Sequence, residues 1–487
     1  MSHEDDVPKA ARPDRQDRVA LTVYGFVILA CFVVLAVLSH RHDFSAASVQ
    51  RPILYVVAIL MCAGAAYLAS VFSVLRISGT RRLFVGILAA GLIYRAVMLF
   101  SEPVLEDDYF RYLWEGGVTA HGFSPYLYSP HEVNFSTVYL DVPEALCELG
   151  TESGGVLQRV NHPELSTVYP PVTQAVFALA HVLRPWSLTA WRMVLLAVEL
   201  LTLGLLVLAL KRLGKPAHLS LIYWWNPLVI KETINSAHMD VLALPLVLAA
   251  LLLVMASKPA RSAALLALGV GVKVWPIILF PILCRSFCCK RAGFLSATLV
   301  LVLLIAILFA PFVSGMLGAE ESGFAVYSDR WEMNDGLFMG FLKGAEWGSA
   351  AFGLGDMPRS INRAARVLAL LALLVWIALV ARAPIRDHRD VCNRIVLVLG
   401  AAFLISPTQY PWYYVWMVPF LALSPRPSML LLTFTLPMYY ALFYLERRQN
   451  IDLFHHGIVW LEYVPVYALV VWELVREFRN RQTPEVN

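Results

Sequence analysis

The sequence FVGILAAGLIYRAVMLF at residues 84–100, followed by LEDDYFRYLWEGG at residues 105–117, decides how the chain is organised. The first stretch is nearly as long as the roughly 20 apolar residues that a membrane-crossing helix needs. The second places three consecutive carboxylates, Glu106 to Asp108, at the predicted membrane boundary, about one helical turn before Arg111. Residues three or four apart share a helix face, so the last two carboxylates can both meet Arg111. The pattern indicates either a general base that acts on a hydroxyl group or a solvated helix cap.

The composition indicates a membrane protein. Of the 487 residues, 59% are hydrophobic and 15% are charged. Many separate apolar runs approach membrane-spanning length, which predicts an all-α polytopic membrane protein with about twelve to fourteen membrane segments. The net charge of +4 includes no long basic block, so no nucleic-acid partner is expected. The 7 cysteines suggest no disulfide framework, and Cys284, Cys288 and Cys289 lack a second ligand pair at zinc spacing.

The distribution of Lys and Arg predicts the orientation, because these residues concentrate in cytoplasmic segments. Two outer loops follow from it, and Val172–Leu183 in the first is predicted to be a juxtamembrane or re-entrant helix. The predicted parts are a cytoplasmic N-terminal tail (1–18), a membrane domain (19–475) with outer loops at about 101–185 and 313–362, and a cytoplasmic C-terminal tail (476–487).

Polar residues interrupt short apolar runs at two places. Residues 231–240 separate two such runs, and Lys273 separates another two. The arms around Lys273 are too short to cross a bilayer fully. Short helices with polar tips predict a water-filled cavity that opens on the non-cytoplasmic side.

Ionisable groups inside a membrane are costly, so those near this cavity are candidate functional residues. Cations suit a phosphate, carboxylates suit deprotonation of a hydroxyl, and aromatic rings suit sugar faces and an isoprenoid chain. Other interpretations stay open: Lys231 and Glu232 can pair with each other, Lys273 can snorkel to an interface, and His238 can be a packing histidine.

Further motifs follow the acidic run in order along the chain: Gly122 to Tyr126, His162 and Pro163, Tyr169 to Pro171, Asn226 and Pro227, Lys231 and Glu232, Asn235, His238, Asp240, Lys273, Trp275 and Pro276, Ser406 and Pro407, Gln409, and Pro411 to Tyr413. This ordered set resembles the bacterial GT-C-fold glycosyltransferases, which are polytopic membrane enzymes that use polyprenyl-phosphate-linked sugars, often mannose. Two positions depart from the family pattern: Glu115 stands where an aspartate is common, and Gly117 stands where an arginine is common.

The resemblance implies an inverting displacement on the outer face of the bacterial inner membrane. Asp108, with Asp107 as its rival, is expected to deprotonate the acceptor hydroxyl while polyprenyl phosphate leaves. The expected contacts are Arg111, Lys231, His238 and Lys273 with the donor phosphate, and Glu115, Tyr126, Tyr169, Glu232, Asn235, Asp240, Asn334, Gln409, Trp412 and Tyr413 with the substrates.

The expected partners are a polyprenyl-phosphate sugar donor, a lipid or glycan acceptor and membrane lipids. No cofactor is expected, because the adjacent carboxylates Asp107 and Asp108 alone are a weak signal for a divalent ion. Two rivals stay open: a transporter or flippase for a lipid-linked sugar, and a glycan-binding scaffold without catalysis. A transporter has no need of a carboxylate at a reacting hydroxyl, which separates it from the transferase.

Overall fold

The computed structural model describes residues 11–41, 52–136, 138, 141–287, 291–318, 331–351 and 358–482 of the chain. Regular structure in these residues is helical, apart from a single β-bridge between Met333 and Thr408. The prediction of an all-α polytopic membrane protein is confirmed. Cys288, Cys289, most of the N-terminal tail and the end of the C-terminal tail lie outside the described residues.

Long apolar helices form the body of the protein. Within the described residues, eight are long and apolar enough to cross a membrane: Arg15–Ser39, Ile53–Val74, Arg81–Leu99, Leu188–Arg212, Arg291–Val313, Pro358–Arg382, Pro427–Arg447 and Ile451–Arg479. A helix satisfies its own backbone hydrogen bonds, which is what a chain crossing hydrocarbon requires.

A broken span lies among these helices. Pro227–Asn235 and Met239–Met255 pass the same test together, but they meet at a bend of 106°. Three shorter apolar helices accompany them: Pro171–Leu183, Pro259–Val272 and Trp275–Arg285. The predicted number of membrane segments is thus reached only when the broken span and the shorter helices are counted with the eight long ones.

The remaining helices lie in the segments that connect the long ones. They are Tyr109–Ala120, Pro130–Asn134, Glu144–Glu152, Leu157–Arg159, Ala217–Ser220, Leu221–Trp224, Phe338–Ala351, His388–Ile405, Pro411–Tyr414 and Val418–Leu423. Helix Tyr109–Ala120 packs against Pro171–Leu183, so the first long loop is folded onto the membrane helices.

Gly116 permits this close packing. A Cβ atom at this position would lie 2.5 Å from the carbonyl oxygen of Phe177, a backbone atom that cannot rotate away. The two helices therefore approach at a distance that only glycine allows.

We expect Gly116→Ala to destabilise the protein by about 1–3 kcal/mol, because the added methyl group forces the two helices apart. Thermal unfolding in detergent measures the effect. Gly86→Ala is the matched control, since a Cβ there meets no heavy atom within 4 Å. Equal melting temperatures for the two variants would contradict the packing argument.

Candidate active site

A cavity of about 990 Å³ lies where the first long loop meets the broken span and the helices near the C-terminal end of the chain. Its walls come from widely separated parts of the sequence, as the prediction of a cavity between short helices requires. The candidate residues that line it are Asp108, Arg111, Tyr169, Asp240, Lys273, Trp412 and Tyr413.

Asp108 immediately precedes helix Tyr109–Ala120, but its carboxylate accepts no capping hydrogen bond from that helix. Instead, the side-chain amide of Asn161 donates to Asp108 Oδ1 at 2.6 Å and to Asp107 Oδ1 at 3.0 Å. The hydroxyl of Tyr112 lies 3.4 Å from Asp108 Oδ2. The carboxylate is therefore held by side chains beside the cavity and does not act as a helix cap.

The three acidic residues of the loop differ in their positions. Glu106 and Asp108 line the cavity, whereas Asp107 does not. Burial raises the pKa of Glu106 well above its ordinary range. Burial and the nearby charge of Asp108 raise the pKa of Asp107. Position therefore favours Asp108 over Asp107 as a group that meets a bound hydroxyl.

Arg111 does not form the expected contact with the acidic run. Its guanidinium pairs with Glu115 at 3.3 Å and donates to the carbonyl oxygens of Asn161 and His162 at 2.7 and 2.8 Å. A fourth bond goes to the carbonyl oxygen of Leu165. Arg111 lines the cavity, but its hydrogen bonds go to Glu115 and to the segment that carries Asn161, which it fixes in place.

Glu115 is buried beneath this segment and does not reach the cavity. Its carboxylate accepts hydrogen bonds from Thr167 and Gln174, both at 2.7 Å. Its neighbour Gly117 faces Trp186, whose ring would lie 2.3 Å from a Cβ atom. The departure from the family pattern at Gly117 thus has a packing cause, because an arginine would collide with this ring.

Lys231 and Glu232 pair with each other, one of the interpretations that the sequence left open. The ammonium group of Lys231 lies 3.3 Å from Glu232 Oε1 and 2.6 Å from the hydroxyl of Tyr440. Tyr440 also donates to Glu232. Both residues are fully buried and neither lines the cavity, so their predicted contacts with substrate are not supported by position.

Four other predicted substrate residues hold the scaffold together. The side-chain amide of Asn235 binds Ser101 and the carbonyl oxygen of Glu102. Gln409 donates to the carbonyl oxygen of Ser406. Tyr126 binds the carbonyl oxygen of Tyr169, and Asn334 binds Glu462.

Lys273 lies in an aromatic box at the cavity wall. Its ammonium group is 2.5 Å from Asp240 Oδ1 and 4.0 Å from the centre of the Tyr413 ring. The indole of Trp416 donates to the same carboxylate oxygen at 2.8 Å and stacks against Trp275. Lys273 and Arg111 are the cations of the predicted set that line the cavity, and the Lys273 side chain is the more exposed of the two, at 21% against 8%.

Several site residues were not anticipated from the sequence: Asn161, Trp416, Tyr439 and Tyr440. Trp416 could have been found, because it lies one helical turn after Trp412 and Tyr413 in an aromatic-rich run. Asn161 carries no local signal, since its role depends on a contact across 53 residues.

One wall of the cavity is apolar and reaches the protein surface. It includes Leu370 and Leu373 from one long helix, Phe403 from the next, and Phe443. Leu370 lines the cavity and is also 55% exposed, so this wall reaches the outer surface of helix Pro358–Arg382.

Asp335 is a buried carboxylic acid two residues from Met333, which lines the cavity. Burial and the neighbouring charge of Glu332 raise its pKa to about 7. A carboxyl whose pKa is raised by folding contributes stability below its unfolded pKa and loses it as the pH rises through the folded value.

We therefore expect thermal stability to fall between about pH 4 and pH 7, by roughly 1–4 kcal/mol from this group. Asp335→Asn is expected to remove most of this dependence, because the amide has no charge to bury. Unfolding curves at pH 5 and pH 8 for both proteins test the effect. An undiminished pH dependence in the variant would assign it to other groups.

Within the described residues, no group of three or more His, Cys, Asp and Glu side chains is arranged to hold a metal ion. Cys31, Cys62, Cys147 and Cys392 are free thiols.

The fold and the site define a polytopic membrane protein with a carboxylate-bearing cavity that has one apolar wall. Comparison with known proteins identifies its family. Residues 19–287 match the family model described as alpha-(1->6)-mannopyranosyltransferase, N-terminal domain, and residues 340–482 match the MptB C-terminal domain. The first match covers more than half of the chain, and the chain belongs to this alpha-(1->6)-mannopyranosyltransferase family. The resemblance to mannosyltransferase-like GT-C proteins is confirmed at this level.

A curated relative is alpha-(1->6)-mannopyranosyltransferase A from Mycobacterium tuberculosis. It is 22% identical over 354 residues, which cover 67% of this chain and 63% of the relative. The match therefore spans less than two thirds of the relative's length. No solved structure gives a significant match.

Proposed function

We propose that this protein is an integral membrane mannosyltransferase that uses a polyprenyl-phosphate mannose donor. The acceptor is a lipid or glycan, and the linkage follows the relative's name, alpha-(1->6). The observation that carries the proposal is the position of Asp108, a carboxylate fixed by Asn161 that lines the same cavity as Lys273 and the apolar wall.

The chemistry follows from this arrangement. Asp108 Oδ2 takes the proton of the acceptor hydroxyl, whose oxygen attacks the anomeric carbon of the sugar from the face opposite the phosphate. The bond between that carbon and the phosphate oxygen breaks, so the configuration inverts. Negative charge grows on the departing phosphate, and the Lys273 ammonium stabilises it. The reaction needs no cofactor in this scheme.

The lipid part of the donor explains the apolar wall. A polyprenyl chain would lie along Leu370, Leu373 and Phe443, with its phosphate at the polar end of the cavity. Such a chain stays in the hydrocarbon layer because burying its methyl and methylene groups is favourable. Because Leu370 on this wall is exposed on a membrane helix, the chain can enter there without crossing water.

The proposed location is the bacterial inner membrane, with both termini in the cytoplasm and the cavity on the outer face. The support is the concentration of Lys and Arg in the turns opposite the cavity, including Arg81, Arg82 and Arg212. The division into a membrane domain at 19–475 with two short tails is part of the same proposal.

The direct test uses purified protein in lipid vesicles with radiolabelled polyprenyl-phosphate mannose and a mannoside acceptor. We expect label to move to the acceptor, and methylation analysis to report a new 1,6-linked residue. Movement of intact donor across the bilayer, without transfer, would overturn the transferase and favour the flippase. Absence of both would overturn the proposal for this donor.

We expect Lys273→Gln to raise the Michaelis constant for the donor roughly 10- to 100-fold, because a charged hydrogen bond of about 1.5–3 kcal/mol to the phosphate is lost. Initial rates at varied donor concentration measure this. Lys343→Gln is the control, since Lys343 is exposed on another helix and pairs only across its surface with Glu346. An unchanged Michaelis constant in Lys273→Gln would remove this residue from the phosphate site.

A further inference from the structure

His238 lies at the bend of the broken span, between the buried Glu232 and the cavity carboxylate Asp108. Its Nδ1 atom is 3.1 Å from Glu232 Oε2, and its Nε2 atom is 3.8 Å from Asp108 Oδ2. The ring packs against Trp412 with 4.2 Å between the ring centres. Only 1% of the residue is exposed.

We propose that His238 accepts the proton that Asp108 removes from the acceptor hydroxyl. The proposal rests on the proposed transferase function and assigns to His238 a role other than binding phosphate. His238 acts through Asp108, so it is a positioning and relay residue that does not contact the substrate.

The contacts define which nitrogen carries the hydrogen. An ionised carboxylate only accepts hydrogen bonds, so Glu232 requires a hydrogen on Nδ1 of His238. The neutral imidazole then has its lone pair on Nε2. That atom is buried and has no hydrogen-bond partner among the residues that the structure describes. An unsatisfied buried acceptor costs about 1–3 kcal/mol, so its place beside a proton-accepting carboxylate calls for a functional reason.

Glu232 is itself fixed in place. It accepts a hydrogen bond from Tyr440 and pairs with Lys231. These contacts leave little freedom for the carboxylate that orients the imidazole. The network resembles a carboxylate–imidazole pair in which the acid holds the ring in the correct tautomer and stabilises its protonated form.

The proton balance is complete within these groups. The acceptor hydroxyl gives its proton to Asp108 Oδ2 as its oxygen bonds to the anomeric carbon and the phosphate leaves with the electron pair of the broken bond. Asp108 then passes the proton to His238 Nε2, which becomes an imidazolium beside Glu232. Asp108 regains its negative charge. The distance of 3.8 Å between Nε2 and Oδ2 must shorten by about 1 Å to form a hydrogen bond. Catalytic hydrogen bonds commonly tighten in this way when substrate binds.

Two titratable groups contact the ring: Asp108 at Nε2 and Glu232 at Nδ1. The charged and titratable groups around these two carboxylates are Glu106 from the loop, Lys231 from the first half of the broken span, Lys273, and Tyr439 and Tyr440 from the helical segment after Pro437. Because Asp108 is the group that faces Nε2, a change in pH dependence after mutation of His238 reports on this pair.

The first measurement needs no activity. Histidine ¹⁵N spectra of wild type and His238→Gln in nanodiscs identify the His238 signals by difference. We expect the Nδ1–H tautomer at pH 8, and a shift of the Nε2 signal in Asp108→Asn. The Nε2–H tautomer would overturn the proposal, whatever the protein transfers.

The second measurement follows turnover against pH. We expect His238→Gln to lower kcat roughly 10- to 100-fold, as loss of an orienting partner does. The acid limb of its pH profile should move, because only Asp108 of the pair is then left to accept a proton. The affinity for polyprenyl phosphate, measured by tryptophan fluorescence, should stay within about twofold, since the relay does not touch the donor.

Two controls separate the outcomes. His218→Gln alters another buried histidine far from the cavity residues and should leave the pH profile unchanged. Transfer by wild type with an unmoved profile in His238→Gln, or with weakened binding of polyprenyl phosphate alone, overturns the relay and leaves the proposed function intact. No transfer by wild type overturns both.

Discussion

Asp108→Asn should reduce the rate of sugar transfer about 10²- to 10⁴-fold, the usual contribution of a general base. Asparagine has nearly the same shape and can keep a hydrogen bond with Asn161, but its amide cannot take a proton from the acceptor. The loss should appear mainly in kcat, because the contacts that bind the donor lie at Lys273 and the apolar wall.

Asp107→Asn is the matched comparison. Asp107 shares the amide of Asn161 but does not line the cavity, so its replacement should cost less than about tenfold through a small shift of Asp108. Initial rates and melting temperatures are measured for wild type and both variants in the same lipid. The reverse order of effects would make Asp107 the base. Full activity in both variants would show that neither aspartate is the general base.

The fold was largely predictable because membrane thickness imposes one length on every crossing helix. The long helices appear where the apolar runs lie. The bend of 106° between Asn235 and Met239 was visible as a polar interruption, Lys231 to Asp240, of a run otherwise apolar. Sequence cannot give the angle, because it depends on packing against helices that are distant in the chain.

The acidic residues of the site, Glu106 to Asp108, were predictable from the sequence. The side chains that contact them were less so. Helical spacing offered Arg111 two carboxylates, Asp107 and Asp108, and spacing alone cannot rank them. Carbonyl oxygens about 50 residues away turn Arg111 toward Glu115 and away from Asp108. Asp240 likewise receives its bond from Trp416, which lies 176 residues further along the chain.

Charged residues inside apolar runs are a sequence signal for buried ion pairs, and this protein contains one such pair. Arg95 and Glu199 stand within separate apolar runs, where a lone charge is costly, so each needs a partner. The structure joins them through two hydrogen bonds of 2.6 and 3.0 Å. Arg95 also donates to the carbonyl oxygens of Gly91 and Trp224, and its guanidinium lies 3.4 Å from the centre of the Trp224 ring.

Arg95→Met is expected to destabilise the protein by about 3–5 kcal/mol, because Glu199 is left as a buried charge without its partner. The double variant Arg95→Met, Glu199→Met should recover much of this loss, since no charge then stays buried. Unfolding free energies of the two single variants and the double variant in one detergent give the coupling between the side chains.

The exposed pair Lys343 and Glu346 provides the reference, and Lys343→Met should change stability by no more than about 1 kcal/mol. Additive effects of the Arg95 and Glu199 substitutions would contradict the pairing. A double variant as unstable as the single Arg95 variant would mean that the bonds of Arg95 to Gly91 and Trp224 matter more than its ion pair. In that case Arg95 chiefly joins helix Arg81–Leu99 to the segment before the broken span.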